Sequence, residues 1–500
     1  MLVSNCNFAG ARQPSNNAEA PNIIFILTDD MDAASLEYMP KTKELIGRQG
    51  ATFSQFFVST SNCCPSRTTI LCGQYTHNTQ IFASSPPSGG FEKFYKLGLE
   101  KSTIAVWLKE AGYKTALFGK YLNGYPATAE QTYIPPGWTE WYSPVDGDPY
   151  TQYNYTLNEN GKLIKYGNQA GDYGTDVYAA KSIDFIKRSV KDGAPFFAYI
   201  AVYAPHGPYE PAPRHAGLFT DVSLPRPPSF NEDDISDKPG FYSDEPRLDN
   251  EVIAKMERIY PKRLQSLQAV DEMVESIVLS LESLGALENT YIFFSSDNGF
   301  HMGLHRLLIG KNTGFEEDIL VPALARGPKI HAGLTIDALA GNVDLASTFA
   351  EIAGIKTPKF VDGRSLMPLL TGKKPSDGSG WRQAFLLERG IVDKTASLPD
   401  YFISANMPVF MSGLLEPADL VPSFRINTDG SYRGLRTKEY TFLKYGDGTL
   451  ELYDLKADPY QLQNIAETAP PAVLEKLIAW LESLSQCAGA SCRRIEEIPR

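Results

Sequence analysis

Asn22-Ile23-Ile24-Phe25-Ile26-Leu27-Thr28-Asp29-Asp30 is the stretch that decides the fold. Five apolar residues without a polar interruption do not suit a strand with one face in water; they suit a strand buried on both faces, as in a parallel sheet. The run stops at two carboxylates, so the carboxyl end of that strand presents acid. Outward from it, residues 103–112 repeat apolar side chains at helical spacing, and 114–118 read as a strand leading to Gly119-Lys120. The same helix-then-strand pattern recurs at 177–189 and 196–202, ending in Ala204-Pro205-His206. It recurs again at 263–284 and 290–296, ending in Asp297-Asn298. Such alternation predicts an α/β fold, a mostly parallel mixed sheet covered by helices on both faces. Ligands bind beyond the carboxyl ends of such strands, which is where these polar residues fall.

Residues 205–246 are rich in Pro, Asp and Ser and too long for a plain connection, so they read as a surface excursion near the cleft. A looser stretch at 372–380 reads as a linker. Beyond it, 432–445 and 450–455 have the alternation of antiparallel strands and 471–485 that of a helix. The expected organisation is an irregular segment at 1–20, a catalytic domain at 21–371 and a smaller C-terminal α+β domain at 381–500 on an antiparallel sheet.

Lys and Arg total 47 against 59 Asp and Glu, a net charge of −12. With no basic run interleaved with aromatics, nucleic acid is not an expected partner. An acidic protein still binds an anion where cations and a metal share one cleft. No apolar stretch approaches the roughly 20 residues that span a bilayer, so no integral membrane segment is expected. Residues 1–20 lack the basic start and apolar core of a signal peptide. Cys487 and Cys492 bracket a short Gly-containing loop and either form a local disulfide, which suits an oxidising compartment, or remain free thiols. The sequon Asn154-Tyr155-Thr156 is a weak pointer to secretion.

The most specific string is Ser61-Asn62-Cys63-Cys64-Pro65-Ser66-Arg67-Thr68-Thr69. Pro65 suits the first turn of a helix, which places Cys63 at a helix N-terminus, where backbone N–H groups favour negative charge and suit an activated nucleophile. An arbitrary Cys is more often a buried core thiol, a reading that leaves the neighbouring residues unexplained. With its continuation Ile70-Leu71-Cys72-Gly73-Gln74-Tyr75-Thr76-His77-Asn78, the string resembles the sulfatase family, whose Cys-x-Pro-Ser-Arg signature directs oxidation of the first Cys to formylglycine. The resemblance runs from Asn22 to Leu452-Tyr453-Asp454-Leu455-x-x-Asp458-Pro459. It is strongest to the branch of glucosamine-6-sulfatases, extracellular heparan endosulfatases and arylsulfatases, and it implies an alkaline-phosphatase-like fold.

That resemblance implies roles for particular residues. Asp29, Asp30, Asp297 and Asn298, with residue 63, match the metal ligands, and hard oxygen donors favour Ca²⁺, with Mg²⁺ second. Adjacent aspartates at one strand end are often mere caps; two such pairs beside the Cys motif favour the metal. Arg67 matches the residue that holds the formylglycine hydroxyls and the anion, Lys120 and Lys311 match lysines on the sulfate oxygens, and His206 a histidine near the leaving-group oxygen. His301 and His305 either contact substrate or brace their loop, and His77 reads as structural. Many arylsulfatases carry His where this chain has Leu122, and Asn123 is the alternative polar contact. Arg433 and Arg436 either line a sugar subsite or belong to an ordinary sheet.

The implied activity is hydrolysis of aryl or carbohydrate sulfate esters, N-acetylglucosamine-6-sulfate or a glycosaminoglycan among them, after maturation by a formylglycine-generating enzyme. A secreted, periplasmic or lysosome-like location fits. The rival readings are a phosphonate or phosphate monoester hydrolase of the same superfamily and a non-catalytic carbohydrate-binding relative.

Overall fold

Ile23, Phe25 and Leu27 pack into one apolar core and Ile24 and Ile26 into another, so the opening run is buried on both faces. The computed structural model describes residues 20–373, 380–390 and 430–497. The expectation for residues 1–19 and that for a linker at 374–379 lie outside the described residues. The main sheet has ten strands among the described residues. They are β1 (Asn22–Thr28), β2 (Ala51–Phe53), β3 (Lys114–Gly119), β4 (Glu140–Gly147), β5 (Tyr155–Glu159), β6 (Lys162–Tyr166), β7 (Phe196–Ala201), β8 (Thr290–Ser296), β9 (Ala323–Arg326) and β10 (Leu334–Ile336). Their spatial order is β10-β2-β9-β8-β1-β7-β3-β4-β5-β6. The central run from β8 to β4 is parallel. Antiparallel pairings flank it at β9 and at β5 and β6.

Helices α1 (Cys63–Cys72), α2 (Ile104–Glu110), α3 (Gly174–Lys191), α4 (Asn250–Ser283) and α5 (Leu345–Ile352) cover the sheet. The first two and α5 pack on the Phe25 face, and α3 and α4 on the Ile24 face. The helix expected at 263–284 begins earlier, at Asn250, where the Asp249 carboxylate accepts from the Val252 N–H at 2.9 Å. Pro261 lies inside it. A proline there removes one backbone bond at roughly 3 kcal/mol, which is why the pattern breaks at that point. Burial of Met256, Ile259 and Tyr260 before it and Leu264 and Leu267 after it offsets that cost.

A second sheet is antiparallel, in the order β11 (Ala384–Arg389), β12 (Tyr432–Thr437), β13 (Tyr440–Tyr445), β14 (Leu450–Asp454). It is covered by α6 (Pro471–Leu484), followed by α7 (Ala490–Glu497). Its core of Leu386, Leu435, Phe442 and Trp480 also takes in Phe57, Tyr75 and Phe315 of the larger unit. Cys487 and Cys492 form a disulfide beside this core.

Among the polar links that fasten the second sheet to the larger unit, two run through the side chains of Arg382 and His77. Arg382, fully buried, donates to both oxygens of Asp344 and from Nε to Glu496 at 3.0 Å. Asp344 closes the turn holding Asn342, whose amide donates to Ser66 Oγ on α1 at 2.9 Å. His77 Nδ1 bonds Glu388 of β11 at 2.9 Å, and its Nε2 lies 2.8 Å from the Cys487 carbonyl.

Removing one partner of a buried ion pair leaves the other charge unpaired, so Arg382→Ala is expected to cost about 3–5 kcal/mol of stability, read by urea unfolding. His77 adds a pH dependence. Burial alone would pull it down, but the Glu388 hydrogen bond and charge outweigh burial and hold it above its usual value. A group with a raised folded value stabilises fully below its unfolded value and loses that contribution as pH rises through the folded one. The melting-temperature gap between wild type and His77→Gln is therefore expected to be larger at about pH 6 than at about pH 9; a gap that does not change with pH counts against this pairing.

Candidate active site

The parallel ladders align four strand ends. Thr28 is in register with Ser296, Leu27 with Ala201, and Ala201 with Gly119. The residues that follow, Asp29-Asp30, Asp297-Asn298, the segment leading to His206, and Lys120, are thereby delivered to one edge of the sheet. Backbone bonds continue the alignment past the strands: Asp297 N–H donates to Thr28 O, Asp29 N–H to Ala204 O and Lys120 N–H to Ala201 O. Gly119 has a positive φ of 99°, and a Cβ there would fall 2.1 Å from the Ala201 carbonyl oxygen, so only glycine lets Lys120 leave the strand at this point.

Asp29, Asp30 and Asp297 are all buried. Asp30 N–H donates to Asp297 Oδ1 at 3.2 Å, and the Asn298 amide donates to Asp30 Oδ1 at 2.7 Å. Three cations oppose these charges. Arg67 Nε donates to Asp297 Oδ2 at 2.8 Å, Lys120 Nζ to Asp29 Oδ2 at 2.5 Å, and Lys311 Nζ to Asp30 Oδ1. Burial would raise Asp29, but Lys120, His206 and Arg67 overcome it and lower its pKa to about 2. Asp30 is likewise lowered against burial, by Lys311 and His206. Burial opposes charge on Lys120 and Lys311 as well, and the carboxylates raise both above their usual value. The cluster is a mutually ionised set in which each charge depends on the others.

Cys63 opens α1 and is buried against this cluster. Its thiol donates to Asp29 Oδ1 at 3.3 Å, and Lys311 Nζ donates to Sγ at 2.7 Å. Burial and the Asp29 charge push the thiol above its ordinary value. His206 Nδ1 donates to its neighbour Gly207 O at 2.8 Å, which turns Nε2 toward Asp30 Oδ2 at 3.5 Å. Burial lowers His206 despite the two aspartates.

Other expected residues lie elsewhere. His301 pairs with Asp318 at 2.9 Å, and Asp318 in turn accepts from Thr313 N–H and Oγ1, a brace on the loop that carries Lys311. His305 is buried, stacked on Phe315 and bonded to Glu232 at 2.7 Å. Leu122 lies in the apolar core, and Asn123 Oδ1 is buried without a hydrogen-bond partner among the described residues. Arg436 is tied to Glu316 at 2.7 Å.

Two residues at the site were missed by sequence reasoning. Arg263 is buried and donates to the Asp30 carbonyl at 2.6 Å and the Pro205 carbonyl at 3.4 Å, bracing both the metal-type pair and the His206 segment. Asp30 has a φ of 63°, a left-handed conformation uncommon for a non-glycine residue, and this bond helps hold it. Arg263 falls four residues after Ile259 and four before Leu267, both buried, and a charge on that apolar stripe was the available signal. Tyr150 gave none: its ring lies 5.1 Å from Lys120 Nζ and 4.6 Å from the His206 ring, set there from a short turn, Pro149–Thr151.

Asp29, Asp30, Cys63 and His206 present donor atoms within 4.8 Å of one another. With Asp297 and the Asn298 amide beside them, the donor set is dominated by hard oxygen and fits a hard divalent cation. Arg67 Nη2 is buried with no hydrogen-bond partner among the described residues and lies 3.7 Å from Asp29 Oδ2 in an ion pair.

The sulfatase family model matches residues 21–355. The N-acetylglucosamine-6-sulfatase of Homo sapiens is 36% identical over 491 residues, covering 95% of this chain and 86% of that protein. A Caenorhabditis elegans homolog of extracellular sulfatase Sulf-1 is 39% identical over 392 residues, covering 76% of this chain and 54% of its own length. The chain thus spans about half the length of the nematode relative. A solved structure of a protein in complex with its substrate, D-glucosamine-2-N,6-O-disulfate, superposes with a TM-score of 0.72 at 25% identity, over 96% of this chain and 99% of that one.

A ligand that binds only the folded chain stabilises it by about 2.7 kcal/mol at a hundredfold excess over its Kd. Calcium added to chelator-treated protein is therefore expected to raise the melting temperature, and Asn298→Ala to shrink that rise. A calcium response that survives Asp30→Ala and Asn298→Ala alike would place the ion elsewhere.

Proposed function

This chain belongs to the sulfatase family, whose members hydrolyse sulfate esters, and we propose that it removes sulfate from a sulfated glucosamine-containing glycan by way of a formylglycine made from Cys63. The observation that carries the reading is the setting of Cys63. The residue opens α1 with its Sγ 3.3 Å from Asp29 Oδ1 and 2.7 Å from Lys311 Nζ, so a group formed from it stands between a carboxylate and a cation. The name of the human relative and the substrate held by the solved neighbour support a 6-sulfated glucosamine as the group acted on.

In this scheme a formylglycine-generating enzyme oxidises Cys63, and Sγ marks where the oxygens of the hydrated aldehyde stand. That group supplies one hydroxyl to attack sulfur and a second to release sulfate afterwards. Asp29, Asp30, Asp297 and Asn298 would hold Ca²⁺, with Mg²⁺ the second choice, and such an ion would supply positive charge to stabilise an anionic nucleophile and ester. Arg67, whose Nη2 makes no hydrogen bond among the described residues, is the guanidinium that would meet the anion. Lys120 and Lys311, fixed as cations by the aspartates, offset charge on the sulfate oxygens. His206 Nε2 is the ring nitrogen left to serve the departing alcohol, because Nδ1 is committed to a carbonyl. An anionic ester beside His206 favours its protonated form, opposing the effect of burial.

The catalytic unit is residues 21–371 and the C-terminal unit residues 381–500. The Cys487–Cys492 disulfide supports an oxidising compartment outside the cytosol, secreted, periplasmic or lysosome-like. Among the described residues no helix is long and apolar enough to cross a membrane.

Cys63→Ala is expected to lower kcat/KM on 4-nitrophenyl sulfate by about a thousandfold or more, as loss of a nucleophile does. Wild type is expected to prefer that sulfate over 4-nitrophenyl phosphate. Full activity in Cys63→Ala would defeat the scheme, and a reversed preference would favour a phosphonate or phosphate ester hydrolase.

A further inference from the structure

Two cations of the second sheet are placed where a strand pair does not favour them. Arg433 of β12 and Lys444 of β13 stand directly opposite each other in the ladder, and like charges so opposed destabilise the pairing. Their nearest acids are loose partners: Arg433 Nε is 3.9 Å from Glu388, and Lys444 Nζ is 3.5 Å from Glu482. Glu388 is already engaged by His77. Both cations keep much of their side chain in solvent, 51% and 40%. Arg436, on the same strand, is by contrast buried and closed off by Glu316.

Arg433 and Lys444 line a cavity of about 530 Å³, with Arg389 as a third cation against the two acids Glu388 and Glu482, and with Phe82, Tyr432 and Leu481 among its walls. That volume is in the range of small-ligand sites. Aromatic and aliphatic walls accept the C–H faces of a sugar ring, and guanidinium groups pair bidentately with sulfate or carboxylate. The cavity also adjoins the loop that carries Lys311. Arg389 Nη1 donates to the Asn312 carbonyl at 3.2 Å, and the Tyr432 hydroxyl donates to the Thr313 carbonyl at 2.8 Å.

We propose that this cavity is a second subsite, which binds an anionic sugar residue of the same glycan whose sulfate ester is cleaved at Cys63; the ligand class rests on the glycan-sulfatase reading above. An incoming sulfate or carboxylate adds countercharge to the opposed Arg433 and Lys444, whose acids Glu388 and Glu482 lie at 3.9 and 3.5 Å. The cavity then selects extended anionic chains over small aryl esters without altering the chemistry at Asp29 and Cys63.

The test uses the full chain with two substrates, a size-defined heparin hexasaccharide and 4-nitrophenyl sulfate. The double variant R433A/K444A is expected to lose about tenfold in kcat/KM on the hexasaccharide, through KM, while staying within about twofold of wild type on the aryl ester. Hexasaccharide affinity measured by calorimetry is expected to fall by about the same factor and to be kept by R433K/K444R. Equal losses on both substrates, or none on either, would overturn the proposal. If wild type turns over neither ester, the sulfatase reading fails by itself, and the calorimetric comparison still decides the cavity: unchanged affinity in R433A/K444A rejects it.

Discussion

Three buried carboxylates gathered at one edge of a sheet are a charge that the interior cannot hold unaided, and much of the site's construction answers that constraint. Asp29, Asp30 and Asp297 are brought together because β1 and β8 run parallel and in register to their last residues. Deep burial of one ionised carboxylate is costly, and a second alongside it makes matters worse unless cations are fixed at contact distance. Arg67, Lys120 and Lys311 meet that need from three different parts of the chain. None of these cations is comfortable without the acids, and none of the acids without the cations. The set therefore holds in place the start of α1, the end of β3 and the loop after residue 310, the segments that surround Cys63.

The same balance limits what Cys63 does. A helix N-terminus is often enough to depress a thiol, yet here the thiol is enclosed and Asp29 lies 3.3 Å from Sγ, which together outweigh Lys311 at 2.7 Å and push the thiol above its ordinary value. A local motif could not reveal this. The sequence around residue 63 shows the helix start, while the opposing carboxylate comes from residue 29 and the enclosure from the tertiary fold. Position and protonation state are thus set by different parts of the chain.

What was legible in the sequence follows from which signals are local. The both-faces-buried run of β1, the helix–strand alternation and the acid or lysine following each strand are local, and the architecture they imply is the one found. The antiparallel strands β5 and β6 on the sheet edge were missed, since Lys162–Tyr166 is largely exposed and carries no burial pattern. Strand β11 was missed because it lies far in sequence from its partner β12. The first turns of α4 were missed because Pro261 breaks the pattern, although side-chain burial carries the helix through it. Arg263 was missed for a related reason. It acts on backbone carbonyls of Asp30 and Pro205, and no residue pattern encodes which carbonyls a distant arginine will reach.

The second sheet is less an added module than the far wall of the site. Glu388 N–H donates to the Ser59 carbonyl, Ser61 Oγ to the Thr313 carbonyl, and the Tyr432 hydroxyl to that same carbonyl. The strand that ends at Arg389 therefore clamps the approach to Cys63 on one side and the loop after Lys311 on the other. Separating the two units would strand polar groups in an apolar core shared by Phe57, Tyr75 and Leu435. A cavity built on that sheet is consequently held at a fixed distance from Lys311. Fixed spacing between two anion-binding positions is what lets a protein read the separation of charges along a chain, since a flexible spacing would lose the difference in ordering entropy. The bonds between the two sheets are thus the physical basis on which the proposed subsite keeps its spacing from Lys311 while leaving the buried charge set at Asp29, Asp30 and Asp297 undisturbed.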